Sequence, residues 1–227
     1  MELVEETMKK PRDINKEITS IYFGISIDEV TDDMINEVSL LSDKLGYSIE
    51  KHTEEINSWD KYFFELAKTV ACNSKCLSRQ LGAVLVRDKS IISTGYNGPP
   101  RGIPRCDLRW EYDTKFAEKY KKNIIDKKVT GLCPRKVIGF KSGQGLEICP
   151  AGHAERNALI NAAREGHVTK DTTLYMTCGL PCTPCLVEII NAGVKEIVVM
   201  STLSYDETAI YLLEQSNLSV RLFNFLK

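Results

Sequence analysis

"TLYMTCGLPCTPCLVEIINAGVKEIVV", Thr173 to Val199, changes character twice. It opens on a short run of β-forming residues, Thr173 to Thr177. An amphipathic stretch follows, with Pro184 near its start and Gly193 at its end, and then "EIVVM", apolar throughout after Glu196. Proline in the first turn and glycine just past the last are common start and stop signals for a helix. An unbroken apolar strand reads as buried on both faces. Strand, helix and strand in this order predict a parallel pair joined by a crossover helix.

The same alternation extends outward. "SWDKYFFELAKTVA", Ser58 to Ala71, predicts a helix with Ser58 as N-cap and an apolar face of Tyr62, Phe63, Leu66, Ala67 and Val70. "GAVLVRDKSIISTGYNG", Gly82 to Gly98, places two apolar runs around "RDKS" and predicts a hairpin. "AERNALINAARE" before Gly166 predicts a second helix, "DETAIYLLEQS" a last helix and "SVRLFNF" a last strand. Strands alternating with helices predict a partly parallel sheet with helices on both faces. Residues 101–150 fit no such pattern and read as a long insertion carrying Cys106, Cys133 and Cys149. A compact domain seldom holds so long a loop without a purpose.

Residues 1–57 differ from the rest. They hold no cysteine and many acids, and the one clear signal is a short amphipathic helix over 31–46. There Thr31 is the cap, Met34, Ile35, Val38 and Leu41 form the apolar face, and Gly46 is the stop. The expected organisation is an N-terminal extension, 1–57, followed by one domain, 58–227. The chain has 227 residues and a net charge of -1, and its strongest basic cluster is Lys121 to Lys128. That charge argues against a long nucleic-acid footprint. A small anionic ligand needs only one or two well-placed cations. No apolar run of about 20 residues is present to cross a membrane. The charged N-terminus lacks the apolar core of a signal peptide, so a cytoplasmic protein is expected. In a reducing compartment, eight cysteines read as metal ligands or buried thiols rather than disulfides.

The chemistry is concentrated in two stretches, "CPAGHAERNALINAAREG" and "LPCTPCLVEIINAG". Cys182 and Cys185 stand three apart at a helix start, so both point to one side. The free N–H groups there favour thiolates, the metal-binding form. His153 adds an imidazole at another helix start, where the neutral ring is expected. Two sulfurs and one nitrogen are three ligands of a tetrahedral zinc, leaving the fourth position for water, as in catalytic sites. Glu155, two residues beyond His153, can take a proton from that water and pass it on. The plainer alternative is half of a structural zinc site beside an incidental histidine.

These motifs, together with "SKCLSRQLGAVLVRDKSIISTGYNGPPRG", resemble the zinc-dependent cytidine/deoxycytidylate deaminase family, from about Ser58 to the C-terminus. The resemblance implies an α/β fold of three layers, α/β/α, with a mixed five-stranded sheet, here preceded by a helical N-terminal extension. It implies hydrolysis of dCMP to dUMP and ammonia by a zinc-bound hydroxide, with Glu155 as proton shuttle, supplying dUMP for thymidylate synthesis. Zinc would be held by His153, Cys182 and Cys185. Asn97 would contact the sugar, and Ala154 would contact the base through its backbone. Arg164 matches a position that could face the 5′-phosphate, although an arginine near a helix end is more often solvated. Tyr175 and Tyr205 pose the same choice, and Tyr175 reads as core. Gly95, Tyr96, Gly98 and Arg101 lie in a loop where the family builds control by dCTP and dTTP, with magnesium on the triphosphate. Homo-oligomers, often hexamers, are implied as well.

Some relatives hold a second, structural zinc. This chain has no histidine between 53 and 152, so the corresponding expectation is a four-cysteine site of Cys76, Cys106, Cys133 and Cys149. The alternative is four free thiols. Cys72 and Cys178 read as packing residues. Alternative functions are a deaminase acting on both dCMP and dCTP or on another cytosine nucleotide, a base-editing enzyme on nucleic acid, and a nucleotide sensor without activity. A mere sensor would not need Glu155.

Overall fold

The structure, a computed structural model, describes residues 31–32, 58–124, 129–141, 144–202, 204 and 206–223. Apart from Thr31 and Asp32, the helix expected over 31–46 lies outside these residues, as does Tyr205.

The five expected strands form one sheet: β1 (Gly82–Arg87), β2 (Ser90–Tyr96), β3 (Thr173–Met176), β4 (Glu196–Val199) and β5 (Ser219–Leu222). Their order is β2-β1-β3-β4-β5. β1 runs antiparallel to both β2 and β3, while β3, β4 and β5 are mutually parallel, so the sheet is mixed as expected. The β1–β2 turn is Asp88-Lys89, with φ of 48° and 58°. Two left-handed residues make the tight turn whose twist matches that of a hairpin.

Side chains alternate across the sheet, as strand geometry requires. Ala83, Leu85, Leu174, Met176, Ile197 and Val199 join one buried cluster. Val84, Val86, Tyr175 and Val198 join another on the opposite face. The second face is covered by α1 (Ser58–Ala71), through Phe63, Phe64 and Ala67. Its buried stripe is rotated from the expected one: Phe64 faces inward, and Tyr62 lies outside at 50% exposure. The 3.6-residue period left both aromatics near the boundary of the apolar face, and the stacking of Phe64 on Phe223 (4.2 Å between centroids) selects Phe64.

The insertion folds into short helical pieces: α2 (Arg109–Tyr112), α3 (Thr114–Tyr120), α4 (Pro134–Ile138) and single 3-10 turns. No strand appears among its described residues. The first face of the sheet carries α5 (Ala154–Arg164), α6 (Thr183–Asn191) and α7 (Glu207–Gln215). α6 stops before Gly193, whose φ of +73° is the left-handed conformation glycine adopts freely.

A buried ion network joins the two ends of the domain. Asp60 of α1 is 1% exposed. It accepts two hydrogen bonds from Arg221 of β5 (2.9 and 3.0 Å) and one from the Tyr175 hydroxyl (2.8 Å). Arg221 also donates to Glu196 of β4 (2.8 and 3.1 Å).

α5 lies unusually close to the edge strand. A Cβ on Gly95 of β2 would collide with the backbone of Ala154 and Ala158. Asn157 and Asn161 of α5 donate to the Tyr96 and Thr94 carbonyls (2.7 Å each), and Ser93 donates back to the Ala158 carbonyl (2.7 Å). Gly95→Ala should therefore destabilise the fold by about 1–3 kcal/mol or more, because two backbones must move apart. Urea denaturation checks this; a change below about 0.5 kcal/mol, typical of a surface position, would contradict the close packing.

Candidate metal centre

The two chemical stretches meet at the mouths of two helices. His153 is the N-cap of α5 (φ -78°, ψ 155°), and Cys182 is the N-cap of α6 (φ -69°, ψ 162°). Neither side chain caps its own helix, so both are free to face a common point. Cys185 lies in the first turn of α6 and is buried. The Cys182 and Cys185 sulfurs are 3.4 Å apart, and His153 Nδ1 is 3.6 Å from the first and 3.3 Å from the second. Among the described residues, these three make the one group of potential ligands whose ligand atoms all lie within 4.8 Å of one another. A tetrahedral zinc with ordinary bond lengths would set the sulfurs ~3.8 Å apart and each ~3.5 Å from the nitrogen. The donors present fit that ion after shifts of a few tenths of an ångström.

Neighbouring elements hold the helix mouths in place. Gly98 and Gly152 exchange two backbone hydrogen bonds (3.1 and 2.8 Å), which joins the end of the hairpin to the residue before His153. Arg156 of α5 pairs with Glu188 of α6 at 2.7 Å. Asp206 accepts from both the N–H (2.8 Å) and the hydroxyl (2.7 Å) of Thr183, between the two cysteines, and caps α7 through the Ala209 N–H (3.1 Å). The sequence placed Asp206 only at the start of the last expected helix; nothing in it signalled the bond to Thr183.

Charge in the pocket is negative. A hydrogen bond with Cys185 outweighs burial and, with His153, brings the Cys182 thiol down to about 5. The Cys185 thiol is held well above its ordinary range by Cys182, then by burial. Cys182 and Glu155 push the His153 ring up to about 10. This field draws a positive charge to Nδ1. A divalent cation provides that charge and uses the nitrogen lone pair, which a proton would occupy. Glu155 is 4% exposed, and its Oε1 lies 3.6 Å from His153 Nδ1. Burial opposes its charge, but the hydrogen bond and charge of His153 prevail, and the carboxyl is held below its usual range.

Ala154 is fully buried at the first position of α5, where backbone N–H groups have no helical partner. Asn97 precedes Gly98, which pairs with Gly152, and its amide is largely used within the protein. Its Oδ1 accepts from Ser74 Oγ (2.7 Å) and the Leu81 N–H (2.8 Å), and its Nδ2 donates to the Arg79 carbonyl (2.8 Å). In the expected control loop, Gly95 packs on α5, the Tyr96 carbonyl accepts from Asn157, Gly98 pairs with Gly152, and Arg101 donates to Asn161 Oδ1 (3.2 Å).

Arg164 is not brought to the site. It lies ten residues beyond Ala154 on α5, ~15 Å along the helix axis, where it is exposed and paired with Glu165 at 2.9 Å. Tyr175 is core, with its hydroxyl on Asp60. Cys178 packs against the buried cluster, as expected for a packing residue, but Cys72 is exposed and is not one. Cys76, Cys106 and Cys149 are half-buried and Cys133 is buried. Their sulfurs do not gather within 4.8 Å of one another as the triad does, yet they feel one another: burial pushes the Cys106 thiol up to about 11, and Cys133, Cys76 and Cys149 each add to that shift. No helix among the described residues is long and apolar enough to cross a membrane.

Comparison with known proteins agrees with this arrangement. Residues 57–201 match the model of the cytidine and deoxycytidylate deaminase zinc-binding region. A deoxycytidylate deaminase of Saccharomyces cerevisiae is 36% identical over 169 residues, covering 74% of this chain and 46% of that protein. The chain thus spans about half the length of that relative. The deoxycytidylate deaminase of Mycobacterium phage D29 is 32% identical over 145 residues, covering 62% of this chain and 92% of that one. A dCMP deaminase from the cyanophage S-TIM5, solved in complex with dCMP and dUMP, shares the fold: the TM-score is 0.51 at 22% identity, over 75% of this chain and 100% of that one. With the family's zinc-binding region matched across most of its length, the chain belongs to the cytidine and deoxycytidylate deaminases.

Proposed function

We propose that this chain hydrolyses dCMP to dUMP and ammonia, with zinc held by His153, Cys182 and Cys185. The observation that carries this reading is one imidazole and two thiols converging beside a buried carboxylate. A structural zinc site has no use for Glu155; a hydrolytic one does. The activity that names the yeast and phage relatives supports dCMP as substrate. When bound, zinc lowers the pKa of a water molecule and so supplies a nucleophile at neutral pH. The remaining work falls to the chain. Glu155 takes one proton of the attacking water and delivers it to ring N3 as the C4–O bond forms; it then carries the remaining proton of that oxygen to the amine, the C4–N bond breaks, and one water is consumed for one ammonia released. The first-turn N–H of Ala154 is available to the base. Asn97 keeps one amide hydrogen for a sugar hydroxyl, because Nδ2 has two and one is used.

Glu155→Ala should retain zinc while dCMP turnover falls by about 10²–10⁴-fold, the usual contribution of a positioned acid–base group. Metal analysis and ammonia release check this on one preparation; near-normal turnover would remove Glu155 from the mechanism.

We infer a second, structural zinc at Cys76, Cys106, Cys133 and Cys149, stapling the insertion to the core. The burial of Cys106, with Cys133, Cys76 and Cys149 each raising its thiol further, supports it. Purified protein should contain two zinc ions per chain, and Cys106→Ala combined with Cys133→Ala should leave one. A content of one in the unaltered protein would mean four free thiols.

The deaminase domain is read as 58–227, since Arg221 and Asp60 tie its last strand to its first helix. Control by dCTP and dTTP with magnesium, and assembly into hexamers, complete the proposal. The expected control loop, Gly95 to Gly102, rests directly on α5, which follows His153, so a ligand there has a short route to the site. Full chain and a 58–227 variant should both turn over dCMP, with activation by dCTP and inhibition by dTTP. Light scattering on the same samples should give a six-chain mass for the full chain; unmodulated rates or a monomer would reject these points.

A further inference from the structure

Among the described arginines, Arg79 alone has a guanidinium without a hydrogen bond or ion pair. The others are engaged, for example Arg156 with Glu188, Arg164 with Glu165 and Arg221 with Asp60. Arg79 is half-buried rather than solvated. A cation withdrawn from water without a partner is unfavourable, and such a group is well suited to a partner that comes from outside the chain.

Its backbone is held from both sides. Asn97 Nδ2 donates to the Arg79 carbonyl (2.8 Å), and Asn97 Oδ1 accepts from Leu81 N–H (2.8 Å). Gln80 Nε2 is tied to the Ser74 carbonyl (2.9 Å), and Ser74 Oγ to Asn97 Oδ1 (2.7 Å). Asn97 immediately precedes Gly98, whose pairing with Gly152 sets this segment beside His153. The charge of Arg79 acts on the Cys178 thiol, which also feels Glu155 and Cys182. The Arg79 backbone therefore lies one hydrogen bond from Asn97, whose neighbour Gly98 is paired with Gly152, the residue before His153.

We propose that Arg79 is the specificity-determining cation of the site and binds the 5′-phosphate of a nucleoside monophosphate substrate. This rests on the deaminase reading. A guanidinium offers phosphate two parallel donors in a fixed fork, which a lysine cannot reproduce. It also gives the internally bonded Asn97 a purpose: its amide positions the residue that reads the phosphate. The anion-binding role expected of Arg164 passes to Arg79, because Arg164 is already paired at the far end of α5.

The test compares unaltered protein with Arg79→Gln and Arg79→Lys, all zinc-loaded and matched in melting temperature. Two quantities are read: kcat/KM for dCMP against deoxycytidine, and calorimetric affinity for dUMP against deoxyuridine. Arg79→Gln should lower both ratios by about 10–100-fold, the range of a hydrogen bond to a charged group, mainly through KM, with partial recovery in Arg79→Lys. Equal losses for phosphorylated and unphosphorylated ligands, or no loss, overturn the proposal. Absence of dUMP binding in the unaltered protein overturns it too. If the unaltered protein binds dUMP but turns over neither substrate, the deaminase reading fails while the dUMP ratio still decides the role of Arg79.

Discussion

Everything at the metal centre depends on how closely α5 lies on the edge strand β2. Gly95 leaves no side chain between them, so the helix backbone settles directly on the strand. Asn157 and Asn161 then bond to the outward carbonyls of Tyr96 and Thr94. An edge strand normally offers such carbonyls to any passing strand; here they orient the helix whose first residue follows His153. One register of α5 satisfies the contact and the hydrogen bonds together, and that register puts His153 opposite Cys182 and Cys185.

The second helix mouth is set by charge rather than close packing. Asp206 grips Thr183 by its N–H and its hydroxyl, so the residue between the two cysteines cannot turn without breaking both bonds. Arg156 and Glu188 join α5 and α6 above the site. The resulting pocket gathers two sulfurs and a carboxylate around one imidazole. Its negative balance selects a cation at the centre, and Arg79, on the loop bonded to Asn97, is the cation we assign to the anionic tail of a substrate.

Much of this was legible in the sequence because the signals are local. The hairpin follows from two apolar runs around Asp88-Lys89, and α6 from Pro184 and Gly193. The crossover follows from the alternation over Thr173–Val199. The ligand triad was legible for the same reason: cysteines three apart at a helix start must share a side. The insertion was not, since its helical pieces are too short to display a period. The face of α1 was misjudged by one residue, because an aromatic at the edge of a stripe turns inward only where a partner such as Phe223 waits.

The sequence by itself determined which elements form, which residue types gather at helix mouths and which chemistry they suit. Those properties depend on neighbours within a few positions. Tertiary structure alone decided which charges find partners. Arg221 is satisfied by Asp60 far away along the chain, Arg156 by Glu188 of another helix, and Arg79 by no partner among the described residues. It also decided that Asn97 is spent mostly on its own loop. Partnership of this kind is a property of distances across the fold, and no spacing along a chain encodes it.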